Sequence, residues 1–283
     1  MIQNEPSEIH TRRPLVKTHF WLWLSVAAAL LAFAGSVIGL TQSLIYARLT
    51  PAFLPQALAQ DIANLVIASP AMVILAALAM RGSLRAYLLW LGVLTFTVYN
   101  YVIYTFSVPF GPLFLVWVVV LGLSLYALIG GVATVDHVAA RESYIRRTPV
   151  QVVGWILIVT AILFGFLWLS EDVLALLAGR MPQSVVDMAL PTNPVHILDL
   201  AFFLPAVIAT GVLLLRGRPL AHTVAPAMLV FLVLTGVPIL LTPVVQASRG
   251  ELAAWGVIAP IGTLTVVILG VLVWLMSSVR TPG

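Results

Sequence analysis

An all-α polytopic transmembrane bundle of eight helices is the fold the sequence predicts, on three observations. Of 283 residues, 61% are hydrophobic and only 8% are charged, where a soluble domain carries about 25% charged residues. Mean hydropathy is +1.10, so too few charges exist to coat a water-soluble globule. The apolar residues also gather into eight stretches, each long enough to cross roughly 30 Å of hydrocarbon as a helix. Backbone groups in lipid find no water, so a spanning segment is a helix or part of a closed barrel, and these runs are too long for barrel strands.

The stretches lie near 20–41, 61–80, 84–106, 110–135, 150–170, 197–216, 221–244 and 256–278. The first opens with Phe20, Trp21 and Trp23, an aromatic anchor of the kind that sits at the headgroup level. Residues 1–19 form a tail, 20–135 a first group of four helices, 136–149 a connector and 150–279 a second group of four. Orientation follows from the basic residues. With the N-terminus inside, Arg12, Arg13, Lys17, Arg81, Arg85, Arg141, Arg146, Arg147, Arg216, Arg218 and Arg280 fall on the inner side, and Arg48, Arg180 and Arg249 outside. That bias predicts cytoplasmic termini. The Ala/Leu/Val-rich composition, with arginine far above lysine, suits a bacterial inner (plasma) membrane. Thr11-Arg12-Arg13-Pro14-Leu15-Val16-Lys17 also has the look of a twin-arginine export signal, against which an uncleaved first span is the favoured reading.

Counting removes several chemistries. Without cysteine there are no disulfides, thiolate metal sites or cysteine nucleophiles. Lys17, the only lysine, precedes the first span, so no amine is placed inside the membrane for a Schiff base. No phosphate-binding glycine loop occurs. The net charge of +4 is scattered over short loops, which argues for cytoplasmic placement rather than nucleic-acid binding. Membrane lipid is the expected surrounding partner. The histidines fall at span ends or in the tail, which offers no axial pair for haem.

The sequence also carries an internal correspondence at an offset of 135 residues. Asp61-Ile62-Ala63-Asn64-Leu65 falls on His196-Ile197-Leu198-Asp199-Leu200, Pro70-Ala71 on Pro205-Ala206, and Arg81-Gly82 on Arg216-Gly217. Leucine and alanine matches mean little between apolar helices, but the proline, the Arg-Gly exit and the two polar positions mean more. Two parallel four-helix repeats are expected, related by a pseudo-two-fold axis along the membrane normal. Pro70 and Pro205 should kink the second helix of each repeat near mid-membrane, because each removes a backbone hydrogen bond. The segments 42–60 and 171–193 are expected as short interfacial helices lying on the headgroups, with lids over an outer pocket as the lesser alternative.

One polar cluster stands out at the outer face. Asn193-Pro194 marks a helix start, with Asn as N-cap and Pro at the first helical position. His196 and Asp199, three apart, then share a face, as do Asp61 and Asn64. Asn100 and Tyr104 offer a second polar face at the same level. The candidate ligand-binding residues are therefore Asp61, Asn64, Asn100, Tyr104, His196 and Asp199, with the two i, i+3 pairs expected to face each other across the two-fold axis. They suit three readings: a hydrogen-bonded clasp between helices, an outward-facing pocket for a small or lipid-like molecule, or a catalytic site. In the last, His196 would act as base with Asp199 or Asp61 orienting it, or His196, Asp199 and Asp61 would hold a metal. No HExxH-type spacing supports the metal. The pocket, serving transport or sensing, is the favoured reading. A membrane-embedded enzyme and an accessory subunit of a larger complex are its alternatives, and cofactor and oligomeric state are left open.

Overall fold

A computed structural model describes residues 19–145 and 148–280. The twin-arginine motif, Lys17, Arg146 and Arg147 lie outside the described residues. The chain forms an integral, multi-pass membrane bundle with eight long apolar helices: α1 (Phe20–Thr41), α2 (Leu54–Met80), α3 (Leu84–Ser107), α4 (Phe114–Thr134), α5 (Val150–Leu177), α6 (Pro194–Leu215), α7 (Pro219–Ser248) and α8 (Trp255–Ser277). No strand occurs among the described residues; the nearest thing is one isolated antiparallel bridge, Tyr144 to Val279. The turns after α2, α4 and α6 share one end of the bundle with the start of α1 and the finish of α8, here the terminal end. The turns after α1, α3, α5 and α7 form the distal end.

Helix boundaries depart from the hydropathy reading at the distal end. α2 begins at Leu54 rather than 61, and α5 runs to Leu177 rather than 170. Gln56, Gln60, Glu171 and Asp172 are polar, yet good helix formers continue a helix past the hydrocarbon edge. The segments expected on the headgroups also turn side chains inward. Ile45, Tyr46 and Phe53 are buried among α1, α3 and α4 side chains, and Val185 and Met188 of the short helix Gln183–Met188 are buried as well. Both segments cap the distal end.

α3 is the most buried of the eight helices and α7 is second. They pack on each other at the centre, and the first turns of α2 and α6 reach across to α7 and α3 respectively. Gly92 permits this crossing: a Cβ there would stand 2.4 Å from Val230 Cβ and 2.9 Å from the Ala227 carbonyl. α1 presents a face of small residues (Ser25, Ala28, Ala29, Ala32, Gly35, Ser36, Gly39) and lies along α2 and α4. Between membrane helices such a face is the usual route to close backbone approach, since lipid tails offer no hydrophobic gain to compete with packing. Trp90 is fully buried, and its indole N–H donates to Ser25 Oγ at 2.8 Å. In the second half α5 packs along α6 but meets α8 only lightly, and α8 is the least buried helix.

The prolines act through a π turn. α2 widens over Asn64–Ala68, where the Ser69 N–H reaches back to the Asn64 carbonyl. α6 does the same over Asp199–Phe203, with the Leu204 N–H on the Asp199 carbonyl. Each turn ends two residues before its proline, Pro70 or Pro205, whose missing N–H and bulky ring are accommodated by the wider turn. The two π turns are 135 residues apart.

The connector is anchored rather than solvated. Asp136 Oδ1 accepts the Val138 and Ala139 N–H groups at 3.0 Å each, capping the short helix His137–Glu142, which packs on α7. Burial lowers the His137 imidazole below its ordinary range, against the pull of Asp136, and its Nδ1 meets Thr223 Oγ1 at 2.9 Å. The Ile145 N–H donates to the Ser278 carbonyl and the Arg280 N–H to the Ser143 carbonyl, while Arg85 Nε donates to the Val279 carbonyl at 3.0 Å. The end of α8 is thereby tied to α3 and the connector.

Candidate functional site

The six polar candidates divide between two clusters. The first is a closed nest around Asp61, which is 3% exposed. Asp61 Oδ1 accepts the hydroxyls of Ser36 and Tyr104, each at 2.9 Å, and Oδ2 accepts that of Tyr46 at 2.7 Å. The donors come from α1, α3 and the turn before α2. A carboxylate accepts through both oxygens, so three hydroxyl donors suit its ionised form without a cation. Gly39 leaves the room: a Cβ there would sit 2.3 Å from Asp61 Oδ2 and 2.9 Å from the Tyr46 hydroxyl. Burial, and after it the charge of Asp61, pushes the Tyr46 hydroxyl far above its ordinary range, so it remains a donor. Asn64, also buried, accepts Asn100 Nδ2 at 3.2 Å through Oδ1, and its own Nδ2 has no partner among the described residues.

The second cluster lines a cavity of about 370 Å³ between the two halves. Its wall runs from distal-rim residues such as Gln56, Glu171, Ser184 and Asn193 down to Phe231 and Ile268, near the middle of α7 and α8. Asn100, Tyr104, His196 and Asp199 lie on that wall; Asp61 and Asn64 do not. Asn193 caps α6 as its position predicts, its Oδ1 accepting the Val195 and His196 N–H groups at 3.0 and 3.3 Å. This fixes His196 on the first turn, and Asp199 one turn further opens the π turn.

The partners of these two residues come from α5. His196 Nδ1 lies 2.9 Å from Asp172 Oδ1, and Nε2 lies 3.8 Å from Glu171 Oε2. The Trp168 ring stacks on the imidazole at a 4.6 Å centroid distance, and its Nε1 donates to Asp199 Oδ2 at 2.9 Å. Tyr99 of α3 stands beside the same carboxylate and edge-on to Phe203 and Phe231. Glu171 Oε1 accepts the Ser184 N–H at 2.9 Å, tying the distal loop to the rim.

Two expectations are corrected here. The Asp61/Asn64 and His196/Asp199 pairs share no hydrogen bond, because Asp61 is turned toward α1 and α3 while His196 and Asp199 are turned toward α5 and the cavity. The group that orients His196 is Asp172, not Asp199 or Asp61. The set His196, Asp199 and Asp61 is therefore not assembled around one point, and no cluster of three or more His, Asp or Glu suited to a metal occurs among the described residues. Trp168, Glu171 and Asp172 escaped the spacing argument, although their i, i+3, i+4 positions on one helical face were a usable signal.

Compared with family models, curated proteins and solved structures, the chain matches none.

Proposed function

We propose that the protein binds a small amphipathic molecule in the cavity between its halves, for transport or sensing. The observation that carries this reading is the cavity itself: about 370 Å³, apolar over most of its wall, with a few converging polar groups at its distal side. Binding sites for small molecules have this size and make-up. The π turn that opens at Asp199 adds support, since such turns often sit at functional sites. The parallel duplication belongs to the same proposal. Its support is the 135-residue spacing of the two π turns and the central α3–α7 crossing, and parallel repeats tend to place a site at their interface. With the basic residues of the terminal end held inside, the cavity faces outward. In a chain without native cysteine, Leu252→Cys should then react with an impermeant thiol reagent in intact cells, and Ser83→Cys should not.

Native mass spectrometry of the protein released from mild detergent tests binding. A retained organic adduct that disappears in Thr235→Trp, which fills the cavity, is the expected result. Bare protein in both forms contradicts it and leaves the accessory-subunit reading in place. The Asp172–His196 pair favours one second reading, an enzyme with His196 as general base. An adduct that in His196→Ala is retained as a heavier, unconverted mass supports that alternative.

A further inference from the structure

We propose, resting on the ligand-binding reading above, that the cavity selects a primary or secondary ammonium group carried on an apolar body. The geometry begins with Asp172. An ionised carboxylate only accepts hydrogen bonds, so the 2.9 Å contact places a ring proton on Nδ1, and in the neutral ring Nε2 is then an acceptor. The His196 side chain is 5% exposed and lies on the cavity wall, yet Nε2 makes no hydrogen bond among the described residues. The acceptor across from it is Glu171 Oε2, at 3.8 Å. At 3.8 Å the two atoms make no hydrogen bond to each other, and with the ring neutral both are acceptors. A nitrogen carrying two or more N–H groups, placed about 2.8 Å from each, satisfies both with charge-assisted bonds.

The electrostatics agree with the geometry. Glu171 and Asp199 both lie on the wall, and no lysine or arginine does among the described lining residues. Arg180, which acts on Glu171, is exposed on the turn beyond α5 and outside the lining. Asp199 accepts the Trp168 indole N–H through Oδ2 and has lone-pair capacity left for a second donor. Below these acceptors the wall is apolar: Phe231, Leu232, Ile239, Leu264 and Ile268 receive a hydrocarbon body. Selectivity then has two parts. An anionic head meets the Glu171 and Asp199 carboxylates and is rejected. A quaternary ammonium has the charge but no N–H, so it cannot bridge Nε2 and Oε2.

The test uses the full chain in a neutral maltoside detergent and reads the shift of the thermal unfolding midpoint. Probes share one tail: octylamine, octyltrimethylammonium, octanol and octanoate. Ligand that binds only the folded state raises the midpoint with concentration, which yields an apparent affinity. The proposal expects octylamine to bind roughly tenfold or more tightly than each of the other three. Glu171→Gln and Asp199→Asn should each weaken octylamine by about tenfold while leaving octanol unchanged. Two variants at separate positions guard against one that fails to fold. Octylamine and octanol acting alike on wild type and on both variants overturns the ammonium proposal and leaves the cavity reading standing. Should no probe act on wild type more than on the cavity-filled Thr235→Trp, both readings fall. An ethanolamine-headed phospholipid offers the same ammonium, so dioctanoyl lipids with ethanolamine and choline heads form a second arm. Displacement of octylamine by the ethanolamine lipid alone identifies a lipid headgroup as the source; displacement by neither identifies a free amine.

Discussion

Asp61 and Asp199 are carboxylates near the distal ends of α2 and α6, and both are nearly buried. Their surroundings differ. Asp61 takes three hydroxyl donors from three segments and does not line the cavity. Asp199 takes the Trp168 indole N–H, has the Tyr99 hydroxyl beside it, and stands on the wall of a 370 Å³ space. The same contrast runs through the helices around them. α1 closes on α4 with a face of glycine, alanine and serine, whereas α5 barely touches α8, and both of these line the cavity. A buried charge whose acceptor capacity is filled by its own fold serves architecture. One left short beside a void is available to something that enters.

Asp61→Ala breaks this comparison most severely on the first side. It strands the buried Ser36 and Tyr46 hydroxyls, each costing about 1–3 kcal/mol when unpaired, and leaves Tyr104 only the Ala57 carbonyl at 3.2 Å, so a loss of roughly 3 kcal/mol is expected in unfolding from detergent. Gly39→Ala attacks the same nest from behind. Its Cβ overlaps the carboxylate and the Tyr46 hydroxyl, and overpacking of this kind costs about 1–3 kcal/mol. Asp199→Asn should cost about 1 kcal/mol, because only the Trp168 and Tyr99 groups depend on it and an amide oxygen can still accept. Trp168→Phe should cost a similar amount, keeping the ring over His196 while losing the indole donor. Circular dichroism melts of the four variants side by side measure the ordering.

The smallest expected effect is a pH dependence at the terminal end, away from both clusters. His137 titrates below its unfolded value near 6.5 because burial disfavours the cation. The folded state therefore binds fewer protons than the unfolded one as pH falls through that value. Its contribution is complete above about 6.5 and is lost on acidification toward the folded pKa. Melting midpoints at pH 8 and pH 5.5 should differ slightly less in His137→Gln than in wild type.

The eight spans were legible in the sequence because hydrocarbon thickness sets a length that apolar runs must meet. Their distal ends were not. Gln56 and Gln60, and likewise Glu171 and Asp172, extend a helix into a polar zone that a hydropathy window treats as loop. Within the site, the cap at Asn193 and the shared face of His196 and Asp199 were readable from local spacing. Which neighbour each side chain meets was not, since spacing along one helix says nothing of how the helix is rotated against the others. Asp61 and Asp199 thus look alike in one dimension and point to different helices in three. Pro70 and Pro205 announced a disturbance, but its form as a π turn depends on hydrogen-bond geometry that a residue type does not specify.

The most direct test of the division between an architectural carboxylate and a ligand-facing one is a paired measurement on Asp61→Asn and Asp199→Asn. Each is assayed for its unfolding midpoint and for the mass it retains in native mass spectrometry. The account predicts that Asp61→Asn melts well below wild type yet keeps the adduct on its folded fraction. Asp199→Asn should melt close to wild type and come through bare. An Asp199→Asn protein that loses as much stability as Asp61→Asn while retaining the adduct would contradict the account, and both carboxylates would then be parts of one structural clasp.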